Sequence, residues 1–118
     1  MTIKFKDQEH RAFFNNMVRY DKCVGDSYRE ALFYTLGINA DTRKHATDLY
    51  DFKEHGIDPE GLNRGWQTSG SRRITLLAFN LYNGFTEYGR EHLSTPYHLF
   101  DDTDAPYMRE AVRVRFRI

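Results

Sequence analysis

Two histidines, one cysteine and one aspartate are the residues whose types could combine into a reactive or metal-binding centre. His10 shares the helical pattern of Phe13, Phe14 and Met17, and His45 that of Leu49 and Phe52, so both imidazoles are expected to point inward. A buried ring nitrogen needs a partner. In one reading each ring bonds a carbonyl or carboxylate. In the other, His10, His45 and Cys23 join one carboxylate in a four-coordinate zinc site. Asp48, one turn after His45, is the expected fourth ligand, with Asp21 and Asp51 as substitutes. No paired-cysteine motif and no His-Glu-x-x-His helix accompanies this set. A Cys23 thiolate paired with His10 or His45 would also need an orienting group and an oxyanion site, and the sequence identifies neither. The expectation is therefore a protein that is not an enzyme.

A second candidate is Gly65-Trp66-Gln67-Thr68-Ser69-Gly70-Ser71, which leads into the apolar run from Ile74 to Leu81. Ser69 or Ser71 can cap the helix that follows while Gly70 bends the approach. With Arg72 and Arg73 beside it, that helix start could hold an anion. The segment lacks both the Lys of a phosphate-binding loop and the Gly-x-Ser-x-Gly frame of a nucleophile elbow. Its simplest role is capping, with Trp66 packed as a core anchor. The layout imitates a helix-turn-helix, but residues 74–82 leave little polar surface for base edges, so direct DNA reading is not expected. The third candidate is the tail, where Arg109, Arg113, Arg115 and Arg117 either form a solvated face or meet an acidic surface.

The elements that must position these groups are mainly helical. Asp7 can cap a helix carrying His10 to Val18. Asp26 or Ser27 can cap a second, with Tyr28, Ala31, Leu32, Thr35 and Leu36 on one stripe and Gly37 at its end. Asp41 or Thr42 is expected to open a third helix, carrying His45, Ala46, Leu49 and Phe52 as far as His55-Gly56. Pro59 suits the start of a short helical piece through Leu62. In the helix expected over residues 71–83 the stretch after Arg73 is apolar nearly all round, which predicts a central helix ended by Asn83-Gly84. The helical pattern fails over residues 85–104. Phe85, Tyr88, Tyr97 and Phe100 make this an ordered, irregular aromatic segment rather than a disordered one. A last helix begins near Asp104 and Pro106; residues 112–117 alternate at period two and could instead form a strand, and the favoured expectation is a helix that frays into an extended tail. The whole reads as one domain, residues 1–118, of about five helices around helix 71–83.

Composition limits the functional classes. Basic and acidic residues balance at 17 each, which removes the global argument for a nucleic-acid binder or an acidic mimic of one. Aromatics are 15% of the chain, so the core must be rich in rings. No apolar stretch approaches a bilayer span, and no signal-like segment leads the chain, so a cytoplasmic protein without membrane integration is expected.

Phe5-Lys6-Asp7 with Glu9-His10, Ala31 to Gly37, Asp41 to His45, Leu49-Tyr50-Asp51, and Gly65 to Ser71 followed by Leu77 to Tyr82 together carry a resemblance. The chain resembles an uncharacterised family of small proteins from Gram-positive bacteria, their prophages and other mobile elements. The resemblance runs from about Phe5 to Phe116 and supplies no functional residues. The context it implies is antagonism of host defence, as in anti-CRISPR proteins that inhibit Cas9. The expected function is accordingly protein binding by a phage-encoded inhibitor of a defence nuclease, stapled by zinc if the His10, Cys23, His45 and Asp48 set forms. Tyr88, Tyr97 and Phe100 with the four tail arginines are the expected contacts. The alternatives are a small metal- or thiol-dependent enzyme and a regulator that touches nucleic acid through Arg109 to Arg117.

Overall fold

The structure, a computed structural model, describes residues 2–118. In chain order it contains α1 (Gln8–Tyr20), α2 (Ser27–Leu36), α3 (Ala40–Lys44), α4 (Ala46–Leu49), β1 (Tyr50–Asp51), β2 (Gly56–Ile57), a first 3₁₀ helix (Pro59–Asn63), α5 (Ser69–Asn83), a second 3₁₀ helix (Glu91–Ser94), α6 (Pro96–Leu99) and α7 (Ala105–Phe116). The architecture is mainly helical, with one short antiparallel β pair in the register Tyr50↔Ile57 and Asp51↔Gly56.

The helix starts follow local chemistry. Asp7 caps α1 by accepting from the His10 N–H, and Asp26 caps α2 by accepting from the Tyr28 and Arg29 N–H groups. Thr68, rather than Ser69 or Ser71, caps α5. Its hydroxyl accepts from the Ser71 N–H while the Ser71 hydroxyl accepts from the Thr68 N–H, a reciprocal capping box. Gly84, at φ 80°, ends α5 in the left-handed region.

Helix α5 lies at the centre with α2, which is the more enclosed of the two: every residue from Glu30 to Ile38 is buried. Helix α2 packs against α5 on one side and α7 on another, with α1 crossing it. Phe33, Leu36, Leu77, Phe79, Met108 and Val114 meet in this core. Each such apolar side chain contributes roughly 1.5–3 kcal/mol on leaving water.

The third helix and the tail also depart from the sequence expectation. The third helix is not continuous: Asn39 caps α3, the chain breaks at His45 (φ −111°, ψ 27°), and α4 stops at Leu49. Tyr50 then turns extended, because pairing with Ile57 buries its ring against Phe33 and Phe52, 5.2 and 4.9 Å away between centroids. The C-terminal segment stays helical to Phe116 instead of fraying, since its arginines bond the rest of the fold.

Gly61 is fixed by a close approach. A Cβ there would stand 2.5 Å from the Asp48 carbonyl oxygen and 2.5 Å from Leu49 Cδ2. Gly61→Ala is expected to cost about 1–3 kcal/mol as overpacking. A urea titration should show a lower midpoint at unchanged slope, and an unchanged midpoint would refute the contact.

Candidate functional site

The predicted metal ligands do not assemble. His10 is fully buried between α1 and α2; its Nδ1 accepts from the Lys6 N–H at 3.1 Å and its Nε2 donates to the Tyr34 carbonyl at 2.7 Å. Both ring nitrogens are satisfied, and desolvation holds the ring's pKa below its ordinary value. Burial likewise pushes the Cys23 thiol up to about 11, and its sulfur lies 3.7 Å from the Val18 carbonyl. His45 stacks on Trp66, 4.4 Å between centroids and 10° from parallel. The Trp66 Nε1–H donates to Asp48 at 2.9 Å, which leaves Trp66 half-buried against the core and pins its loop to α4. Among the described residues no group of three or more His, Cys, Asp or Glu side chains is arranged to hold a metal ion. The expectation of a joint site from His10, Cys23, His45 and Asp48 is therefore corrected: only His45 and Asp48 come together, 3.8 Å apart beside Trp66, while His10 and Cys23 sit in bonded environments of their own.

The anion site at the start of α5 is also corrected, because the protein's own groups fill it. Arg72 grips Glu87 with two bonds of 2.8 and 2.6 Å, and this pairing lowers the Glu87 pKa. Arg73 lies 3.7 Å from Asp102. The Ser71 hydroxyl is buried within the cap and donates to Gln67 at 2.6 Å, while Ser69 stays exposed.

These same bonds order the irregular segment 85–104. Phe85 packs edge-on to Phe79 at 5.6 Å, the Asn80 side-chain amide donates to the Phe85 carbonyl at 3.2 Å, and Leu99 is buried. With the Arg72–Glu87 and Arg73–Asp102 pairs they fix the segment to α5 at several points. The order does not come from Tyr88 or Tyr97, which are 100% and 94% exposed. Phe100 is half-buried and, with Lys4, Ala105, Pro106, Arg109 and Val112, lines an open groove of about 920 Å³ along α7.

The arginine tail is largely committed to internal partners. Arg113 chelates Glu110 at 2.7 and 2.8 Å and also donates to the Thr2 carbonyl. Arg115 donates to the Leu81 carbonyl at 2.8 Å with its guanidinium 3.6 Å from the Tyr28 ring centroid, and Arg117 reaches Glu30 at 2.9 Å. Arg109 is exposed and has no ion pair among the described residues. The tail is thus mainly a set of tethers between termini and core. Tyr28, expected on the buried stripe of α2, is instead half exposed beneath Arg115, with Phe116 on the guanidinium's other neighbour position at 4.6 Å. No local spacing signalled this Tyr28–Arg115–Phe116 group, since it forms only where α2 and α7, far apart in the chain, are brought together.

Helical packing, exposed aromatics on a tethered segment and an adjoining groove define a small helical domain that presents preformed surface. A family model matches residues 1–118, and the chain belongs to that family, a family of unknown function (DUF6075). No curated protein and no solved structure matches it. Among the described residues no helix is long and apolar enough to cross a membrane.

Proposed function

We propose that this protein acts by binding another protein, and that its partner is a bacterial defence nuclease such as Cas9, which it inhibits on behalf of a phage or mobile element. One observation carries the binding reading: Tyr88 and Tyr97 stand in solvent on a segment that ion pairs and buried neighbours hold in place. Tyrosine offers a large contact area at low entropic cost, and it is enriched at the energetic centres of interfaces. Holding the segment rigid before binding lowers the ordering cost on association. Phe100 and Arg109 in the groove extend the surface with an apolar wall and a cation. The choice of partner comes from the resemblance to prophage proteins.

The test is co-elution of the purified protein with Cas9 and with other defence nucleases, followed by nuclease assays. The double variant Tyr88→Ala/Tyr97→Ala is expected to weaken binding by at least about tenfold, 1.4 kcal/mol or more. Its thermal midpoint should match wild type, because neither ring is packed. Absence of any nuclease complex would overturn the partner assignment. Full-strength binding by the double variant would overturn the surface.

A further inference from the structure

At the opposite end of α1 from its cap, a cluster of titratable groups surrounds a buried carboxylate that the binding surface does not use. The Asp21 side chain is 1% exposed and sits at the C-terminus of α1. One of its oxygens accepts from the Tyr50 hydroxyl at 2.7 Å and from Arg29 at 3.0 Å, and the other faces His55 Nδ1 at 3.0 Å. Arg29 Nη1 also approaches Nδ1, at 3.5 Å, but the Asp21 contact is the shorter, and a carboxylate paired with arginine only accepts, so that contact assigns the proton to Nδ1 and the lone pair to Nε2. The His55 side chain is 53% exposed and opens on a cleft of about 550 Å³ lined by Asp21, Lys22, Asp26, Arg29, His55 and Tyr82.

The chain fixes His55 at its ring and at its backbone. Asp21 fixes the ring, the Tyr82 hydroxyl donates to the His55 carbonyl at 2.7 Å, and the turn between β1 and β2 places His55 at φ 56°. A non-glycine residue in the left-handed region is uncommon, and such positions gather at functional sites. Lys22, at φ 53°, stands on the same cleft. Arg29 is held between Asp21 and Asp26, so the lining charges cancel, with Lys22 the cation that has no ion pair among the described residues. The cleft thus carries an imidazole oriented by a buried carboxylate and, on its wall, a lysine without an ion pair among the described residues, groups that can activate water.

We propose that His55 is the general base of a hydrolytic site for small uncharged carboxylic esters, with Asp21 as its positioning residue. Nε2 accepts a proton from water as the water oxygen bonds to the ester carbonyl carbon, and the Lys22 ammonium faces the oxyanion that forms. When the carbon–oxygen bond to the leaving group breaks, the imidazolium returns the proton to the departing alkoxide. The products are a carboxylic acid and an alcohol, no other reactant is consumed, and no covalent enzyme intermediate forms. Neutral lining charge favours an uncharged ester over an anionic one.

The probe is p-nitrophenyl acetate, hydrolysed by the full chain. The informative variant is His55→Gly, because glycine takes the left-handed backbone at no steric cost, so the turn is kept while the base is removed. The rate is expected to fall about 10²-fold and to recover on adding free imidazole, whereas His92→Gln, at an exposed histidine on the second 3₁₀ helix, keeps the wild-type rate. A wild-type rate no greater than that of free imidazole at equal concentration would overturn the proposal, as would an undiminished rate in His55→Gly. The positioning role is read separately from ¹⁵N chemical shifts of the wild-type ring: the Nδ1–H tautomer is expected, and the Nε2–H tautomer refutes Asp21 as its orienting group. Tyr88 and Tyr97 take no part, so this activity and partner binding stand or fall separately.

Discussion

Asp21→Ala is expected to destabilise the fold by about 3–5 kcal/mol, the usual result of removing one member of a buried ion pair. The loss has two parts. The Tyr50 ring is 1% exposed, and its hydroxyl loses its acceptor inside the core. Arg29 keeps Asp26 but loses the carboxylate that offsets its own partial burial, where pairing with both acids had raised its pKa. Asp26→Ala gives the contrast. Its carboxylate is a third exposed and caps α2, so its loss should cost about 0.5–2 kcal/mol. Urea unfolding of both variants measures the difference, and equal midpoints would contradict the central place given to Asp21. Tyr50→Phe in the Asp21→Ala background should cost less than it does alone, because the two groups share one bond.

His10→Ala is the second large effect. It leaves the buried Tyr34 carbonyl without its partner, at roughly 1–3 kcal/mol, and removes the acceptor of the part-buried Lys6 N–H. It also removes a pH dependence whose sign follows from burial. Desolvation lowers the pKa of the folded ring below the unfolded value of about 6.5. On acidification the unfolded chain takes up this proton first. The contribution is therefore whole above about pH 6.5 and is lost progressively as the pH falls from there toward the folded pKa, by up to about 1.4 kcal/mol per pH unit. Wild type should lose more stability between pH 7.5 and 5.5 than His10→Ala does. Equal losses would show that the ring titrates normally and is not enclosed as described. Gly37 supports the same enclosure from α2, since a Cβ there would come within 2.6 Å of the His10 ring.

The proposed binding surface and the proposed Asp21–His55 centre differ in how they are made. Tyr88 and Tyr97 are displayed by a segment whose own neighbours hold it, so their substitution should alter association and leave folding unchanged. Asp21 belongs to both the core and the cleft. Its removal therefore confounds activity with stability, which is why His55→Gly is the variant that isolates the chemistry.

Much of the local structure was determined by the sequence alone. Asp7 and Asp26 announce helix starts, Pro59 a short helical turn and Gly84 a stop, because capping and breaking act over a few residues. The inward face of His10 and the burial of residues 74–79 were legible from spacing for the same reason. Only the tertiary structure decided what the polar groups do. Asp21 meets His55 across 34 positions, Arg72 meets Glu87 across 15, and Arg117 meets Glu30 across 87. Side-chain type shows that a carboxylate or guanidinium needs a partner, but which partner depends on the path of the backbone between them. The break at His45 and the β pair after it belong to the same category. Tyr50 leaves the helical pattern because its ring finds Phe33 and its hydroxyl finds Asp21, and neither contact is encoded within one turn of helix.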